Sequence, residues 1–499
     1  MQLANIHIAN LDRDRTPYEE CFPWRPLCDE ARISRGEKSR TTGATESLAS
    51  LEDLTRLFDA STVAATPHEC VPIVRPIQAE GQVDRPEDLS VAVEFKFLVP
   101  YRPHGVAETD ECRRHPPVAT ADIISNATTV TDADRRRLQD HAFRAIAATI
   151  RACDGQNAIS SHEMQQMPQS QPLSAYWATH WLVKRSNSAE PSAAHPHYGD
   201  WLWVPVEINS PKLSWTDRAG TSETIRAVLR ALHAGHRIET NYSCEVHVHV
   251  GRRDGCRLSL PSLQRLAVLC WLAEPVLRGV KDPRSPNFVH KYTWSSPLRE
   301  RSRLAGELCS KQHLHFAEHR QQEQQQHRRT SELRAICRIL ASRSHVELGL
   351  LMTGEGRPYR RLGFNFHSLI KETLDEADRT ELETVECRFL EGTMAEDVIL
   401  GWLQIFGSLV QSALASAPRQ EYAEVQPDLM LPPLLGLLEQ TCGSQTTTTD
   451  TFVHLMEDLG VDRSSSAPVL AIIHRARRMS TGAESLLVVG DNSLRSHIH

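Results

Sequence analysis

Two pairs of residues have a spacing that indicates chemistry. His247 and His249 alternate with valines in CEVHVHVG, and Glu386 and Arg388 alternate in TVECRFLEGT. Residues i and i+2 of a strand point to the same face of a sheet. Two imidazoles on one face, with Glu245 beside them, can bind a metal ion, or one metal and one phosphate. The glutamate–arginine pair is either a local salt bridge or a clamp for phosphate oxygens.

Two further carboxylates lie in apolar segments that are predicted as strands. Glu94 lies in VAVEFKF and Glu207 in VPVEINSP. Burying a carboxylate is costly unless it is paired or binds a metal. The alternative for Glu94 is an edge strand whose polar face is in contact with water. In one sheet, the four segments would bring three carboxylates, two histidines and an arginine to one polar surface, as a phosphoryl-transfer site requires.

The elements that position these residues follow from hydrophobic periodicity and turn signals. Strands are predicted over residues 90–100, 177–183, 201–209, 237–251, 361–367 and 383–390. Helices are predicted over residues 134–153, 221–234, 261–280 and 396–416, and a loop over 154–175. Strands and helices mix without strict βαβ alternation. This favours an α+β fold with a largely antiparallel sheet and helices on one face.

The 499 residues divide by composition into three regions. Residues 1–88 are predicted to be a disordered leader, because they lack apolar periodicity. Residues 89–415 are predicted to form the catalytic domain, interrupted by a low-complexity Gln/His/Arg-rich insertion at 311–331. Residues 416–499 are predicted to be a C-terminal extension that is helical or partly disordered.

Charge and cysteine usage narrow the possible environments and partners. The formal net charge is −7, so no nucleic-acid-binding surface is expected. The first 20 residues lack the pattern of a signal peptide, and no apolar run of about 18 residues predicts a membrane span. The 12 cysteines show no CxxC pairs and are interpreted as reduced thiols. These features predict a cytoplasmic protein without a membrane partner.

In their order along the chain, the segments resemble the amidoligase family, which is abundant in filamentous fungi and belongs with glutamine synthetase and glutamate–cysteine ligase. The matching segments are SVAVEFKFLVP, WLVKRSNS, VEINSP, NYSCEVHVHVG, LGFNFHSL and TVECRFLEGT. The resemblance covers roughly residues 89 to 415. HVHVG and TVExR are its most specific parts.

The resemblance implies a glutamine-synthetase-like catalytic fold and ATP-dependent formation of an amide through an acyl phosphate. Mg²⁺ or Mn²⁺ would assist, and the substrates would be a small-molecule carboxylate and amine, or a peptide. The metal ligands it implies are Glu94, His247 and Glu386, with Glu207 at a second metal position. The residues it places at the nucleotide or in catalysis are His249, Arg388, Asn365, Glu391 and, at a departure from the family pattern, Lys96.

Four positions depart from the family pattern. Lys96 stands where the family has a metal-binding glutamate, and Ser186 stands where it has an aspartate. Ala92 and Glu245 replace glycines. Strand alternation puts Lys96 on the face of Glu94, where an ammonium group repels a metal ion. Either a single metal suffices, with Lys96 as a fixed positive charge, or turnover is lost and binding remains. We expect weak or absent turnover.

Two other functions remain open from the sequence. One is a non-catalytic relative that binds a nucleotide or metabolite, which Lys96 and Ser186 favour. The other is a metal-dependent hydrolase that uses His247 and His249 as ligands. The hydrolase is disfavoured because no further histidine cluster has ligand spacing.

Overall fold

The computed structural model describes most of the region that the resemblance covers. The described residues are 84–103, 118–120, 123, 130–167, 173–282, 285, 295–312, 321–355, 362–370, 383–415 and 448–480. The predicted disorder of residues 1–83 therefore lies outside the described residues. So do 313–320 of the predicted insertion and 416–447 and 481–499 of the C-terminal extension.

The strands in the described part of the chain form one nine-stranded sheet. They are β1 (Leu89–Arg102), β2 (Val118–Ala119), β3 (Ala158–Ser160), β4 (Trp181–Arg185), β5 (Leu202–Asn209), β6 (Leu213–Ser214), β7 (Val246–Arg252), β8 (Phe364–Asn365) and β9 (Thr384–Leu390). The main order is β3-β4-β5-β1-β7-β9-β8, while β2 and β6 also pair with β1. The β1–β2 and β3–β4 pairs are parallel, and the other pairs are antiparallel.

The central strand β1 separates an apolar face from a polar one. Val91, Val93 and Phe95 point into the hydrophobic core, as β-branched and aromatic residues at alternate positions should. Glu94 and Lys96 point to the opposite face. Because β1 is paired on both sides, Glu94 does not lie on an edge strand. The wet edge-strand alternative for Glu94 was therefore wrong.

Helices flank the sheet and supply most of the core on its apolar face. They are α1 (Asp132–Arg151), α2 (Ser161–Gln166), α3 (Leu173–Thr179), α4 (Arg218–Gly235), α5 (Leu260–Leu277), α6 (Leu298–Arg301), α7 (Arg303–Gln312), α8 (Gln321–Leu340), α9 (His345–Met352), α10 (Glu396–Ala415), α11 (Thr448–Asp458) and α12 (Arg463–Ser480). Helix α1 contacts β3, β4 and β5, whereas α10 contacts β7 and β1 and packs on α5 and α12. The predicted α+β class with a largely antiparallel sheet is confirmed.

Two predicted segments contain other elements in the structure. The predicted loop 154–175 contains β3 and α2, and α2 begins at a reciprocal cap between Ser160 and Glu163. The S-x-x-E pattern of that cap is visible in the sequence. The predicted strand 177–183 is instead the end of α3 followed by β4. An apolar run this short does not distinguish a helix end from a strand.

The predicted strand 237–251 is shorter in the structure, because a polar turn precedes it. Asn241 Oδ1 accepts hydrogen bonds from the Ser243 backbone N–H at 2.8 Å and its hydroxyl at 2.6 Å. Such side-chain turns compete with strand pairing. The strand β7 therefore begins at Val246. The helix α4 begins at Arg218 with Asp217 as its cap, three residues before the predicted start at 221.

The ends of the catalytic region also differ from the sequence-based boundaries. Order extends before residue 89, since Asp84 is buried and its carboxylate accepts hydrogen bonds from Arg252 at 3.0 Å and from the Ser259 backbone at 2.8 Å. Residues 448–480 of the C-terminal extension form α11 and α12. Among the described helices, α10 is long and apolar enough to cross a bilayer by composition, but 78% of that stretch is buried within the protein, as in a core helix.

Candidate active site

Strand pairing brings the polar residues of four neighbouring strands together. Glu94 of β1 lies opposite His247 of β7 and opposite Asn209 of β5. On the other side of β7, His249 lies opposite Glu386 of β9. Residues that face each other across strands lie within side-chain contact distance. The predicted convergence of Glu94, His247, His249 and Glu386 on one face is therefore present.

The β7–β9 pairing contains an irregularity that helps to form the site. Val246 pairs with Leu390, whereas Val248 pairs with Cys387, so β9 has one extra residue in this stretch. A bulge of this kind re-aims side chains and is common beside functional sites. It allows Phe389 and Leu390 both to enter the core. Arg388 meanwhile stays on the polar face.

His247 is fully buried and has carboxylates on three sides. Its Nδ1 lies 2.9 Å from Glu94 Oε1 and 2.8 Å from Glu386 Oε1, and its Nε2 lies 3.2 Å from Glu245 Oε2. Burial and the charges of Arg388 and Lys96 oppose protonation. The carboxylates of Glu94 and Glu386 outweigh them and raise the pKa of His247 from 6.5 to about 9. At neutral pH the protonated form of His247 is therefore favoured.

Lys96 lies beside Glu94 at the centre of the site. Its Nζ is 2.9 Å from Glu94 Oε1, and it also lies 3.0 Å from Nε2 and 3.2 Å from Nδ1 of His247. Burial favours the neutral form of Glu94. The charges of Lys96 and His247 outweigh burial and hold the pKa of Glu94 well below its usual value. Lys96 is therefore paired, and its side chain, which is only 4% exposed, does not extend into solvent.

Glu386 is held by two partners from its own and a neighbouring strand. Arg388 Nη1 donates to Glu386 Oε1, and Asn365 Nδ2 donates to Oε2 at 2.7 Å. Burial acts against ionisation of Glu386, but the charges of Arg388, His249 and His247 outweigh it and keep its pKa well below the ordinary value. These contacts place Asn365 and Arg388 in the cluster that the sequence predicted.

A single cation fits one group of donors on this face. Glu94, His249 and Glu386 each offer one atom, and the three atoms lie within 4.8 Å of one another. His249 Nε2 is 3.4 Å from Glu94 Oε2 and 3.7 Å from Glu386 Oε1. The resemblance implied His247 as a ligand, and this stays a prediction: its Nδ1 lies 2.9 Å from Glu94 Oε1 and 2.8 Å from Glu386 Oε1. His249, which the resemblance placed at the nucleotide, belongs to the donor group as well.

A second buried ion pair extends the site beyond the predicted residues. Lys281, which follows a 3₁₀ turn at Arg278–Val280, lies 3.2 Å from Glu245 Oε1, and Ser295 Oγ donates to the same oxygen at 2.7 Å. Burial opposes ionisation of Glu245, but Lys281 and His247 outweigh it and lower its pKa far below the ordinary value. Sequence patterns placed Glu245 on the correct face, but nothing near Lys281 indicated that it would join.

The charges in this cluster nearly cancel without any bound ion. The three buried carboxylates are Glu94, Glu245 and Glu386, and the three fixed cations within hydrogen-bond or ion-pair distance of them are Lys96, Lys281 and Arg388. His247 adds one further positive charge at neutral pH. Sites that bind divalent ions tightly usually have an excess of carboxylates. This cluster has no such excess.

The other three sequence-predicted residues make their ion pairs or hydrogen bonds outside the cluster. Glu207 pairs with Lys184 of β4 at 2.8 Å. Glu391 accepts a hydrogen bond from Ser285 at 2.6 Å; burial raises its pKa, although the nearby charge of Lys281 opposes this. Ser186 Oγ accepts backbone hydrogen bonds in its own turn. The second metal position that the resemblance implies at Glu207 stays a prediction.

Comparison with known proteins identifies the family of this chain. The family model described as "Putative amidoligase enzyme" matches residues 131–410, which is more than half of the chain. The chain belongs to this family. The match includes β5, β7, β8 and β9, whereas β1 with Glu94 and Lys96 precedes it. No curated protein matches the chain.

Proposed function

We propose that this protein is an ATP-dependent carboxylate–amine ligase that forms an amide through an acyl phosphate. The observation that supports this proposal most directly is the donor group of Glu94, His249 and Glu386, with Arg388 beside it, on one sheet face of an amidoligase-family chain. The substrates would be a small-molecule carboxylate and amine, or a peptide.

The proposed roles follow from the contacts of each side chain. Mg²⁺ or Mn²⁺ suits a donor set of two carboxylates and one imidazole, and when bound it would neutralise nucleotide phosphate charge. Asn365 holds Glu386 in position through its 2.7 Å hydrogen bond. Arg388 would turn its guanidinium group toward phosphate oxygens as charge develops in the transition state.

Product analysis with isotope labelling tests both the reaction and its intermediate. The chain is incubated with ATP, Mg²⁺ and a panel of amino acids whose carboxylates carry ¹⁸O, and ADP, phosphate and amide are measured by mass spectrometry. An acyl phosphate transfers one carboxylate oxygen to the released phosphate, so one ¹⁸O per phosphate is expected. Amide formation without label in phosphate would contradict the intermediate.

Matched variants test the site assignment. Glu386→Gln should abolish amide formation, because it removes a charged donor from the proposed cation group. Glu396→Gln serves as the control, since Glu396 lies at the start of α10 and pairs with Arg230, away from the cluster. Equal product formation by Glu386→Gln and the wild type would remove Glu386 from the mechanism.

A non-catalytic binding protein is the second candidate, and the salt bridge between Lys96 and Glu94 favours it. A cluster whose charges already cancel has less need of a divalent ion, and it offers less of the charge neutralisation that phosphoryl transfer requires. Calorimetry separates the two candidates. Binding of ATP with no ADP formed under any substrate condition would favour the binding protein.

A further inference from the structure

We propose that the ammonium group of Lys96 is a built-in second cation of this site, so that the chain binds one divalent ion, at Glu94, His249 and Glu386. This inference rests on the cation site proposed above, but it does not depend on the reaction.

The surroundings of Lys96 Nζ resemble those of a bound cation. It lies 2.9 Å from a carboxylate oxygen of Glu94, deep in the polar face of the sheet. Carboxylate oxygens are the donors that Mg²⁺ and Mn²⁺ prefer in proteins. In the β1–β5 register, Lys96 is also opposite Glu207, whose own ion pair is with Lys184. The ammonium group thus occupies the carboxylate position that a second cation on Glu94 would need.

Geometry divides the oxygens of Glu94 between two cations. Oε1 contacts Lys96 and His247, whereas Oε2 lies 3.4 Å from His249 and accepts a hydrogen bond from Asn209 at 3.2 Å. An ion at the donor group can therefore use Oε2 while Lys96 keeps Oε1. A second divalent ion would have to displace the ammonium group from Oε1.

The rigid setting of Lys96 makes displacement unfavourable. Lys96 is buried on the central strand. If its ammonium group moved away from Glu94, both groups would stay buried, and each would lose its partner in a low-dielectric environment. Lys184 of β4, by contrast, pairs with Glu207 of β5, and 29% of its side chain is exposed. Lys184 is therefore a suitable comparison residue: it has the same charge, lies in the same sheet and forms its ion pair with a carboxylate outside the three-donor group.

The experiment counts bound ions directly. Chelator-treated full-length protein is titrated with Mn²⁺ alone, and free Mn²⁺ is followed by electron paramagnetic resonance to give stoichiometry and affinity. The variants are Lys96→Glu, Lys96→Met, Lys96→Arg and the control Lys184→Met. Circular dichroism confirms that each variant is folded.

One ion per chain is expected in the wild type, in Lys96→Arg and in Lys184→Met. Lys96→Glu should bind two ions. Lys96→Met should bind its ion at least about tenfold more tightly. Even in bulk water, the repulsion between a unit charge and a divalent ion about 5 Å apart corresponds to more than a tenfold change in affinity.

Two ions or none in the wild type would overturn the inference. So would unchanged affinity in a folded Lys96→Met variant. The wild-type count is decisive even if the Lys96 variants do not fold. If amide formation is never detected but one Mn²⁺ binds, the proposed reaction fails and the role of Lys96 stands. If amide forms and two ions bind, the proposed reaction stands and the proposed role of Lys96 fails.

Discussion

Glu245 is the residue whose removal should most disturb the buried charge cluster. Its carboxylate is 2% exposed and lies 3.2 Å from both Lys281 and His247, with Arg388 at 3.9 Å. The change Glu245→Gln keeps the shape and the hydrogen bond from Ser295 but removes the negative charge. Three buried cations then lose a shared counterion.

The size of the effect follows from the charge balance. Removing one partner of a buried ion pair typically costs about 3–5 kcal/mol, because the remaining charge is left unpaired. The cluster already has one more positive than negative group when His247 is protonated, so Glu245→Gln should reach this range. Lys281→Met removes a cation instead, and Glu245 keeps Arg388 and His247. It should therefore cost less than half as much.

Urea unfolding at pH 7 with chelator present, followed by circular dichroism, measures both variants. Asp140→Asn is the control, since its pair with Arg144 is an exposed i,i+4 contact that is screened by solvent and contributes little to stability. A loss below about 1 kcal/mol for Glu245→Gln, or an equal loss for Lys281→Met, would refute the proposed charge balance.

Two further predictions concern the helical layer. Burial raises the pKa of Glu274 to about 7, although the backbone N–H groups of Leu298 and Arg299 donate to it and oppose this rise. The folded state therefore binds this proton more tightly than the unfolded chain does. The resulting contribution to the free energy of unfolding is fully present below the unfolded pKa of about 4.5. It is lost as the pH rises through about 7, and the loss is at most roughly 3 kcal/mol. Urea unfolding at pH 5 and pH 8 should show Glu274→Gln gaining stability relative to the wild type at the higher pH; a constant difference would contradict the shift. Gly407→Ala should destabilise the fold by about 1–3 kcal/mol, because a Cβ there would lie 2.2 Å from the Trp215 ring; thermal unfolding tests this, and an unchanged midpoint would show that the ring can move.

The two-residue period of strands made the shared face of the site predictable. Glu94 with Lys96, His247 with His249 and Glu386 with Arg388 occupy alternate positions. The intervening residues Phe95, Val248 and Cys387 enter the core. This follows from strand geometry alone, without knowledge of which strands pair. Local signals also predicted the main helices, because caps and periodicity are properties of a few adjacent residues.

What the sequence did not predict depends on contacts between distant segments. The central place of β1 results from its pairing with β5 and β7, over a hundred residues further along the chain. Lys281 joins the cluster through the path of the chain after α5, and no nearby pattern marks it. Which of His247 and His249 lies deepest among the carboxylates is a tertiary property, like the raised pKa of His247 that follows from it.

The buried cluster has a further physical consequence for function. In a metal site whose carboxylates have no neighbouring cationic side chains, the ion-free protein carries uncompensated negative charge. Metal binding then couples strongly to folding. Here Lys96, Arg388 and Lys281 already neutralise the three carboxylates, so the arrangement can form without an ion. The side chains would then be preorganised before any ligand arrives, which favours positioning over tight metal binding. The same feature that makes the site rigid therefore limits how much positive charge a divalent ion can add, and this makes the number of bound ions the most informative quantity to measure.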